Sequence, residues 1–428
     1  MNMDKQQGFD TKSVHAGAGP DPATGARQVP IYQTTSFVFK DAAHAARLFN
    51  LEEVGYIYSR LTNPTVGALQ KRMAELEGGV GAVAFASGHA AQLGVMFALM
   101  EPGCNLVASN KLYGGTVQQF NNMIAKFGWS ARLVDFDDLG AVEAAIDSNT
   151  RMIFFEALAN PGGVVIDVEA ISALAHKHGL PVISDNTLAS PALFSPFDWG
   201  CDLSCHSTTK FITGNGSTVG GIVVDSGRFD WSKSGHYPSL AAANPAYHGL
   251  NFHAALGEMA FTFYAIAVVL RDLGACQSPH NAFQTLLGLE TLSMRMERHS
   301  MNALAVAEFL ERHPKVNSVS YAGLKSSPYY ARACKYLPRG AGAVLTFALQ
   351  GDKQAGLKFS ESLELFSMLA NIGDARSLVI HPASTTHSQL SDAEKALAGA
   401  GDDVIRLSIG LENIDDLIRD LESGLAKI

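Results

Sequence analysis

Residues 152–187 read MIFFEALANPGGVVIDVEAISALAHKHGLPVISDNT. This stretch opens with the short apolar run Met152–Phe155 and closes with a second one, Val182–Ser184. Between them, Val168–Lys177 has apolar residues at helical spacing. A strand, a helix and a second strand in this order predict a βαβ unit with two parallel strands.

The same alternation continues on both sides of this unit. It predicts further strands at Ala82–Ala86, Leu106–Ser109, Arg132–Phe136, Leu203–His206 and Ile222–Val224, and further helices at Gly88–Met100, Thr116–Lys126 and Leu139–Asp147. The predicted fold class is therefore α/β, with a mostly parallel sheet. Ligands of such sheets bind beyond the carboxyl ends of the strands, so those ends are where chemistry is expected.

The chain divides into three predicted parts: an N-terminal arm (1–63), the α/β domain (64–270) and a smaller C-terminal α+β domain (271–428). Asn63 and Pro64 fit the start of a helix that runs to Glu77 and stops at Gly78. Residues 225–265 break the strand–helix rhythm. The C-terminal part is predicted to hold a long helix, about Asn281–Arg312, and strands near Val316–Tyr321, Ala343–Phe347 and Val404–Ser408.

Composition excludes several classes of protein. The 428 residues are 47% hydrophobic and 17% charged, with a net charge of −9, which favours a globular core and argues against a general nucleic-acid binder. Met1–Asp10 lacks the apolar segment of a secretory signal, and the apolar run Ala260–Leu270 is expected to be a buried helix too short to span a bilayer. The five scattered cysteines predict reduced thiols and a cytoplasmic location; inert thiols are favoured over a zinc site at Cys201 and Cys205.

The strongest local signal is Ser207-Thr208-Thr209-Lys210, directly after the predicted strand Leu203–His206. A lysine amine can form a Schiff base with an aldehyde, and neighbouring hydroxyls can hold a phosphate. Pyridoxal 5′-phosphate (PLP) is the common cofactor that brings both groups. Taken alone, the motif also fits an ordinary loop lysine beside solvated hydroxyls.

Three further strand ends carry polar or aromatic groups. Asp185 could pair with the pyridine nitrogen of PLP or simply cap the next segment. Gly88 and His89 begin a helix whose N-terminus could bind a phosphate through backbone N–H groups, although Ser87 also makes it an ordinary capped helix. Tyr113, followed by two glycines, could stack on a cofactor ring or lie in a turn. Their shared location is what favours a common site.

These residues belong to longer stretches that resemble the Cys/Met-metabolism family of PLP enzymes, and within it the O-acetylhomoserine sulfhydrylases. The resemblance covers nearly the whole chain. It is carried by Tyr56–Thr65, Ser207–Gly221, Gly274–Pro279, Gly288–Leu292, His381–His387 and Arg406–Glu412. It implies the aminotransferase-like fold of PLP enzymes (fold type I), with the smaller domain at the C-terminus.

The resemblance also implies a role for each matching residue. Lys210 would form the Schiff base with PLP and remove the substrate's Cα proton, with Tyr113 assisting near the leaving group. Asp185 would pair with the pyridine nitrogen, and Arg406 would bind the substrate carboxylate. The remaining implied contacts are Asn160 at the phenolic oxygen, Tyr113 on the ring, Gly88, His89, Ser207 and Thr209 at the phosphate, Ser377 near the substrate, and Tyr58 and Arg60 from a neighbouring subunit, with Tyr58 also reaching the substrate.

The implied reaction replaces the acetyl group of O-acetyl-L-homoserine with sulfide or methanethiol. The same site could serve a methionine γ-lyase, or a cystathionine γ-synthase or γ-lyase. Gly115 stands where the family's methionine γ-lyases tend to have cysteine, and the segments Asn244–Leu250 and Asn371–Asp374 favour the sulfhydrylases. A catalytically silent PLP-fold protein is the alternative of a different class. The expected partners are small molecules and further copies of the chain, in a tetramer built from dimers with shared sites, and neither nucleic acid nor a membrane.

Overall fold

A computed structural model describes residues 7–160, 163–385, 399 and 401–428. The motif residues Pro161, Thr386 and His387, and the first six residues of the chain, lie outside this set. Within it, the larger sheet has seven strands. In chain order they are β1 Gly81–Phe85, β2 Asn105–Ser109, β3 Ser130–Val134, β4 Thr150–Glu156, β5 Val182–Asp185, β6 Leu203–Ser207 and β7 Gly221–Asp225.

The larger sheet is mostly parallel, as the sequence predicts. Its strand order is β1-β7-β6-β5-β4-β2-β3, and only β7 runs against its neighbours. All the other strands therefore end at the same edge of the sheet. The predicted site residues that end or follow β1, β2, β4, β5 and β6 all lie at this edge.

Helices surround this sheet and continue towards the C-terminus. In chain order, α1 to α17 of the described residues are Phe9–His15, Ala42–Phe49, Pro64–Glu77, Gly88–Leu99, Gly114–Gln118, Leu139–Ala144, Val168–Lys177, Ser190–Leu193, Pro238–Ala241, Phe252–Leu256, Ala260–Tyr264, Arg271–Leu273, Pro279–Leu289, Leu292–Arg312, Tyr330–Tyr336, Lys353–Ser362 and Ile414–Ala426. Helix α5 is shorter than the predicted Thr116–Lys126 because a π turn, Gln119–Met123, and a 3₁₀ turn, Ile124–Phe127, follow it.

The C-terminal part contains a second sheet of five strands in the described residues. Its strands are β8 Val316–Ser320, β9 Val344–Leu349, β10 Ser367–Met368, β11 Leu378–Ile380 and β12 Val404–Ser408, in the order β10-β11-β12-β9-β8. Apart from the parallel pair β10–β11, neighbouring strands are antiparallel. Strand β12, which carries Arg406, lies in the middle of the sheet.

The single long helix predicted over about Asn281–Arg312 is wrong: two helices, α13 and α14, occupy this region. The break falls at Thr291, whose backbone leaves the helical conformation (φ −117°). Arg295 donates to the carbonyl of Gly288 at 2.6 Å and to that of Phe211 at 2.6 Å. These bonds hold the end of α13 against the loop that follows Lys210, a constraint that helical periodicity cannot reveal.

Two other regions contain more helix than the sequence predicts. The arm, for which no helix is predicted, holds α1 and α2. The apolar run at Ala260–Leu270 is part of a longer helical stretch, Phe252–Leu273, which by length and composition alone could cross a membrane. In this structure 44% of its most apolar window is buried, and the stretch packs beside α4 and β1 as a core helix does.

Asn63 joins the arm to the start of α3, as the sequence predicts for a helix cap. Its Oδ1 accepts from the N–H of Thr65 at 3.0 Å, and its Nδ2 donates to the carbonyl of Tyr32 at 2.9 Å. The same amide donates to the hydroxyl of Ser59, so one side chain caps the helix and fixes the arm.

We predict that Asn63→Ala lowers the free energy of unfolding by about 2 kcal/mol, because it removes the cap of α3 and leaves the partly buried partners in Tyr32 and Ser59 unpaired. Urea denaturation followed by circular dichroism measures this. The matched control is Asn63→Asp, which keeps the cap acceptor and should lose less. Equal losses in the two variants would contradict the capping role.

Candidate active site

Three parallel strands bring the central predicted residues together. Glu156 ends β4 directly opposite Asp185 at the end of β5, and Asp185 lies opposite Cys205 on β6. Two residues beyond Cys205, Ser207 ends β6 and leads to Lys210. Because parallel neighbours lie about 4.8 Å apart, these groups form one row along the sheet edge.

Lys210 is partly buried and contacts the loop between β10 and β11. Its Nζ donates to Oδ1 of Asn371 at 2.6 Å. Burial lowers the pKa of the Lys210 amine to about 8, and the positive charge of Arg406 contributes further. An appreciable fraction of this amine is therefore uncharged near neutral pH, as a nucleophile or base requires.

Arg406 reaches the same place from the middle of β12 and is 5% exposed. It donates to Oδ1 of Asn160 at 3.4 Å and to the backbone carbonyl of Asn371 at 3.3 Å. Burial lowers its pKa to about 10. Both hydrogen bonds are longer than usual, so a carboxylate could replace them with a stronger bidentate pair.

Asp185 is held in a fixed orientation by two donors. Its Oδ2 accepts from Nε2 of Gln92 at 2.9 Å, and its Oδ1 accepts from the N–H of Thr187 at 3.0 Å. Gln92 is buried on α4, one turn beyond the start of that helix. The carboxylate of Asp185 is thus oriented by groups behind it, which suits a partner for a protonated ring nitrogen.

Glu156 is a second carboxyl group at this edge, 3% exposed and beside Asp185. It accepts from the N–H of Tyr113 at 2.5 Å through Oε1 and from the N–H of Asn160 at 3.0 Å through Oε2. Burial, assisted by the negative charge of Asp185, raises the pKa of Glu156 to about 8, while the two N–H donors oppose the rise.

The N-terminus of α4 lies against the end of β6. Ser87 caps the helix by accepting from the N–H of Ala90 at 3.1 Å, and the first N–H groups of any α-helix have no partner within the helix. A Cβ atom on Gly88 would come within 2.8 Å of the Cβ of Ser207. Glycine therefore permits this close approach. The hydroxyl of Thr209 exchanges hydrogen bonds with the backbone of Gly220.

Tyr113 is 44% exposed at the start of α5, where its ring meets His89 edge-to-face at 6.0 Å. A Cβ atom on Gly115 would lie 2.4 Å from the ring of Tyr113 and 3.0 Å from that of His89. The absence of a side chain at Gly115 is thus what lets the two rings pack together.

Three predicted residues are placed differently from this group. Tyr58 and Arg60 are exposed on the arm and contact each other, with the guanidinium 5.5 Å from the ring centre. Ser377 is fully buried, and its hydroxyl donates to Glu412 at 2.9 Å and accepts from the N–H of Gly410 at 2.8 Å. The roles implied for these three residues, like those of the other predicted site residues, stay predictions.

Comparison with known proteins identifies the family. Residues 10–426 match the family model of the Cys/Met metabolism PLP-dependent enzymes. The chain belongs to this family. It is 48% identical to a sulfhydrylase of Fusarium oxysporum over 98% of each chain, and 48% identical to an O-acetyl-L-homoserine sulfhydrylase of Corynebacterium glutamicum over 99% of this chain and 98% of the other.

A solved structure from Campylobacter jejuni, a putative O-acetylhomoserine (thiol)-lyase containing N′-pyridoxyl-lysine-5′-monophosphate, is similar to this chain with a TM-score of 0.95. The two are 41% identical, over 98% of this chain and all of the other. The predicted PLP-enzyme fold and the cofactor of the family are thereby confirmed.

The residues at the strand edge suit PLP chemically. The cofactor carries an aldehyde, a basic ring nitrogen and a phosphate. The edge offers an amine of lowered pKa at Lys210, a fixed carboxylate at Asp185, and a helix N-terminus at Gly88 beside Ser207. Buried Arg406 near Lys210 leaves an excess of positive charge that anionic groups would neutralise.

Glu156 and Gln92 are not among the residues predicted from the sequence, and Asn371 is predicted only as part of the segment Asn371–Asp374. Glu156, like Asp185, is a carboxylate at the end of an apolar strand, and this sequence feature is enough to predict it as a site residue. Gln92 lies inside a helix and had no local signal. Asn371 becomes a site residue only because the second sheet packs against Lys210.

We predict that, in protein stripped of PLP, the labelling rate of the Lys210 amine by an amine reagent is half-maximal near pH 8. Because Arg406 lowers this pKa, Arg406→Gln should move the half-maximal pH upwards. Mass spectrometry of the labelled peptide gives the rate. An unchanged or lower value in Arg406→Gln would contradict the electrostatic coupling, and labelling of exposed Lys177 is the internal control.

Proposed function

We propose that this chain replaces the acetyl group of O-acetyl-L-homoserine with sulfide or methanethiol, giving L-homocysteine or L-methionine plus acetate. The observation that carries the proposal is the buried Arg406 beside the Lys210 amine, both bound by Asn371. This places a carboxylate-binding group next to a base, as an α-amino acid substrate requires. The sulfhydrylases among the similar proteins supply the choice of reaction.

When bound, PLP supplies the electron sink for carbanion chemistry at the substrate. The residues that would hold its ring and aldehyde are Lys210, Asp185, Tyr113 and Asn160. The phosphate site would be formed by Gly88, His89, Ser207 and Thr209. Arg406 exchanges its two long hydrogen bonds for the substrate carboxylate, which orients Cα towards Lys210. Lys210 then removes the Cα proton, because its lowered pKa leaves part of the amine uncharged near pH 8.

Later proton movements fall to the same few residues. Lys210 can return its proton to a neighbouring carbon, and Tyr113 is exposed enough to reach the leaving group and assist proton transfer there. Replacement at Cγ also requires that sulfide add to Cγ, after acetate has left, before the eliminated product is released. Ser377, fully buried and bonded to Glu412, would act by shaping the substrate pocket rather than by direct proton transfer.

The packing at Gly115 supports replacement over γ-elimination. The family's methionine γ-lyases tend to have cysteine here, and any side chain at this position would meet the ring of Tyr113 at 2.4 Å. A cysteine would therefore force Tyr113 away from His89. The arrangement seen in this chain depends on glycine.

The test measures homocysteine release from O-acetyl-L-homoserine and sulfide. O-succinyl-L-homoserine as alternative substrate, and methanethiol and cysteine as alternative donors, define the specificity. We expect acetyl-ester turnover that Lys210→Ala abolishes, since both the Schiff base and the Cα base are removed. Arg406→Lys should chiefly raise KM, because lysine cannot form the bidentate pair. Rapid 2-oxobutanoate formation from methionine, without acetyl-ester turnover, would refute the proposal.

A shared active site is the second part of the proposal. Tyr58 and Arg60 are exposed and stand apart from the strand-edge group, so they are available to a neighbouring copy. A guanidinium and a phenol there would complete the phosphate site of that copy. We infer a dimer with two such sites, a tetramer of two dimers, and a cytoplasmic location.

Mixing two inactive variants tests this arrangement. Arg60→Ala and Lys210→Ala each damage every site of their own homodimer, but a mixed dimer has one site with both residues intact. Random reassociation should restore about a quarter of the wild-type activity. Lys210→Ala mixed with Arg406→Gln, two changes in the same chain's half of the site, is the control and should restore none. Failure of the first pair would contradict shared sites.

A further inference from the structure

Glu156 is a buried carboxyl group that the proposed reaction does not use. Its two oxygens accept from the backbone N–H groups of Tyr113 and Asn160, the two residues expected on the ring and at its phenolic oxygen. Tyr113 follows β2 and Asn160 follows β4, so the carboxyl group of Glu156 hydrogen-bonds to two separate loops. Its backbone lies opposite Asp185, the expected partner of the ring nitrogen.

We propose that Glu156 is the positioning residue for the cofactor ring: ionised, it holds Tyr113 and Asn160 in place, and it gives up a proton when PLP loads beside Asp185. The inference rests on PLP binding and on the proposed places of Tyr113, Asn160 and Asp185. It does not depend on the acyl group or the sulfur donor.

The charge on Glu156 decides how strongly it holds its two N–H donors. An ionised carboxylate accepts two N–H groups well, whereas a protonated carboxyl has a hydrogen on one oxygen, which weakens that oxygen as an acceptor. Bonds to an ionised acceptor are roughly twice as strong as neutral ones. Glu156 therefore holds the backbone N–H groups of Tyr113 and Asn160 strongly only when it is charged.

Cofactor loading changes the charge that Glu156 experiences. Without PLP, burial and the negative charge of Asp185 raise the pKa of Glu156 to about 8, so that most of it is protonated at pH 7. A protonated ring nitrogen beside Asp185 offsets that negative charge and lowers the pKa of Glu156. The O–H bond of Glu156 then breaks and its proton leaves to solvent. PLP binding, the ionisation of Glu156 and the strengthening of its hydrogen bonds to Tyr113 and Asn160 are therefore thermodynamically linked.

The experiment measures proton release when PLP is added to full-length protein stripped of cofactor. Calorimetry at pH 7, in buffers of different ionisation enthalpy, counts the protons. Lys210, the phosphate and the ring nitrogen of PLP also exchange protons, and none of these groups is altered in the variants, so the comparison is made between variants. Wild-type protein should release most of one proton more per chain than Glu156→Gln, and Glu156→Asp, which keeps an ionisable group, should retain the release.

Affinity and a matched control separate positioning from general stability. Glu156→Gln places an amide N–H against one of the two N–H donors, so its Kd for PLP should rise about tenfold. Asp225→Asn removes another buried carboxyl, whose pKa burial raises to about 7, at the opposite end of the sheet beside Gly81. That variant should keep the wild-type proton count and affinity. The same loss in Asp225→Asn would overturn the inference.

Infrared difference spectra of the wild-type protein give a result that does not depend on how Glu156→Gln folds. PLP loading at pH 7 should remove the carbonyl stretch of one protonated carboxyl, and Glu156→Asp should shift that band. A spectrum with no such loss overturns the inference. A protein that loads PLP with this signature but fails to turn over O-acetyl-L-homoserine would instead refute the proposed function and leave the role of Glu156 standing.

Discussion

The parallel pairing of β4, β5 and β6 is the constraint on which the site depends. Parallel strands end at the same edge, so Glu156, Asp185 and the segment Ser207–Lys210 lie in one row without any direct link between them. Only β7 runs the other way, and it begins at that edge, where Gly221 pairs with Ser207 and Phe85. A register shift of one residue would turn each of these side chains to the other face of the sheet.

The second constraint is electrostatic. Lys210 and Arg406 come from different sheets and meet in a partly buried place, with Asn371 as the common acceptor. Burial and the positive charge of Arg406 lower the pKa of the lysine to about 8, which is the property that a Schiff-base amine or a general base needs. Asp185 and Glu156 lie opposite each other at the ends of β5 and β4, and the pKa of Glu156 is raised to about 8. Asn160 hydrogen-bonds to both Arg406 and Glu156, so two cations and two carboxyl groups share one site. This arrangement suits a cofactor with a cationic nitrogen and a substrate with a carboxylate.

Much of this could be predicted from the residues along the chain. The strand–helix alternation gave the mostly parallel sheet, and Asn63, Pro64 and Gly78 gave the bounds of α3, because caps and apolar periodicity are local properties. Strand ends also pointed to Asp185, Gly88, Tyr113 and Lys210. The predictions failed where a distant segment decides the local structure, as at Thr291, where Arg295 binds the loop after Lys210 and divides one expected helix into two.

The sequence by itself therefore determined the fold class, the gathering of the predicted site residues at the carboxyl ends of the strands and, through its family motifs, PLP as cofactor. Only the tertiary structure decided which groups act on one another. Asn371 and Lys210 are 161 residues apart in the chain, and Arg406 is 246 residues from Asn160. Burial and charge at such contacts set the pKa values of Lys210 and Glu156, and these depend on what packs nearby rather than on neighbouring residues in the sequence.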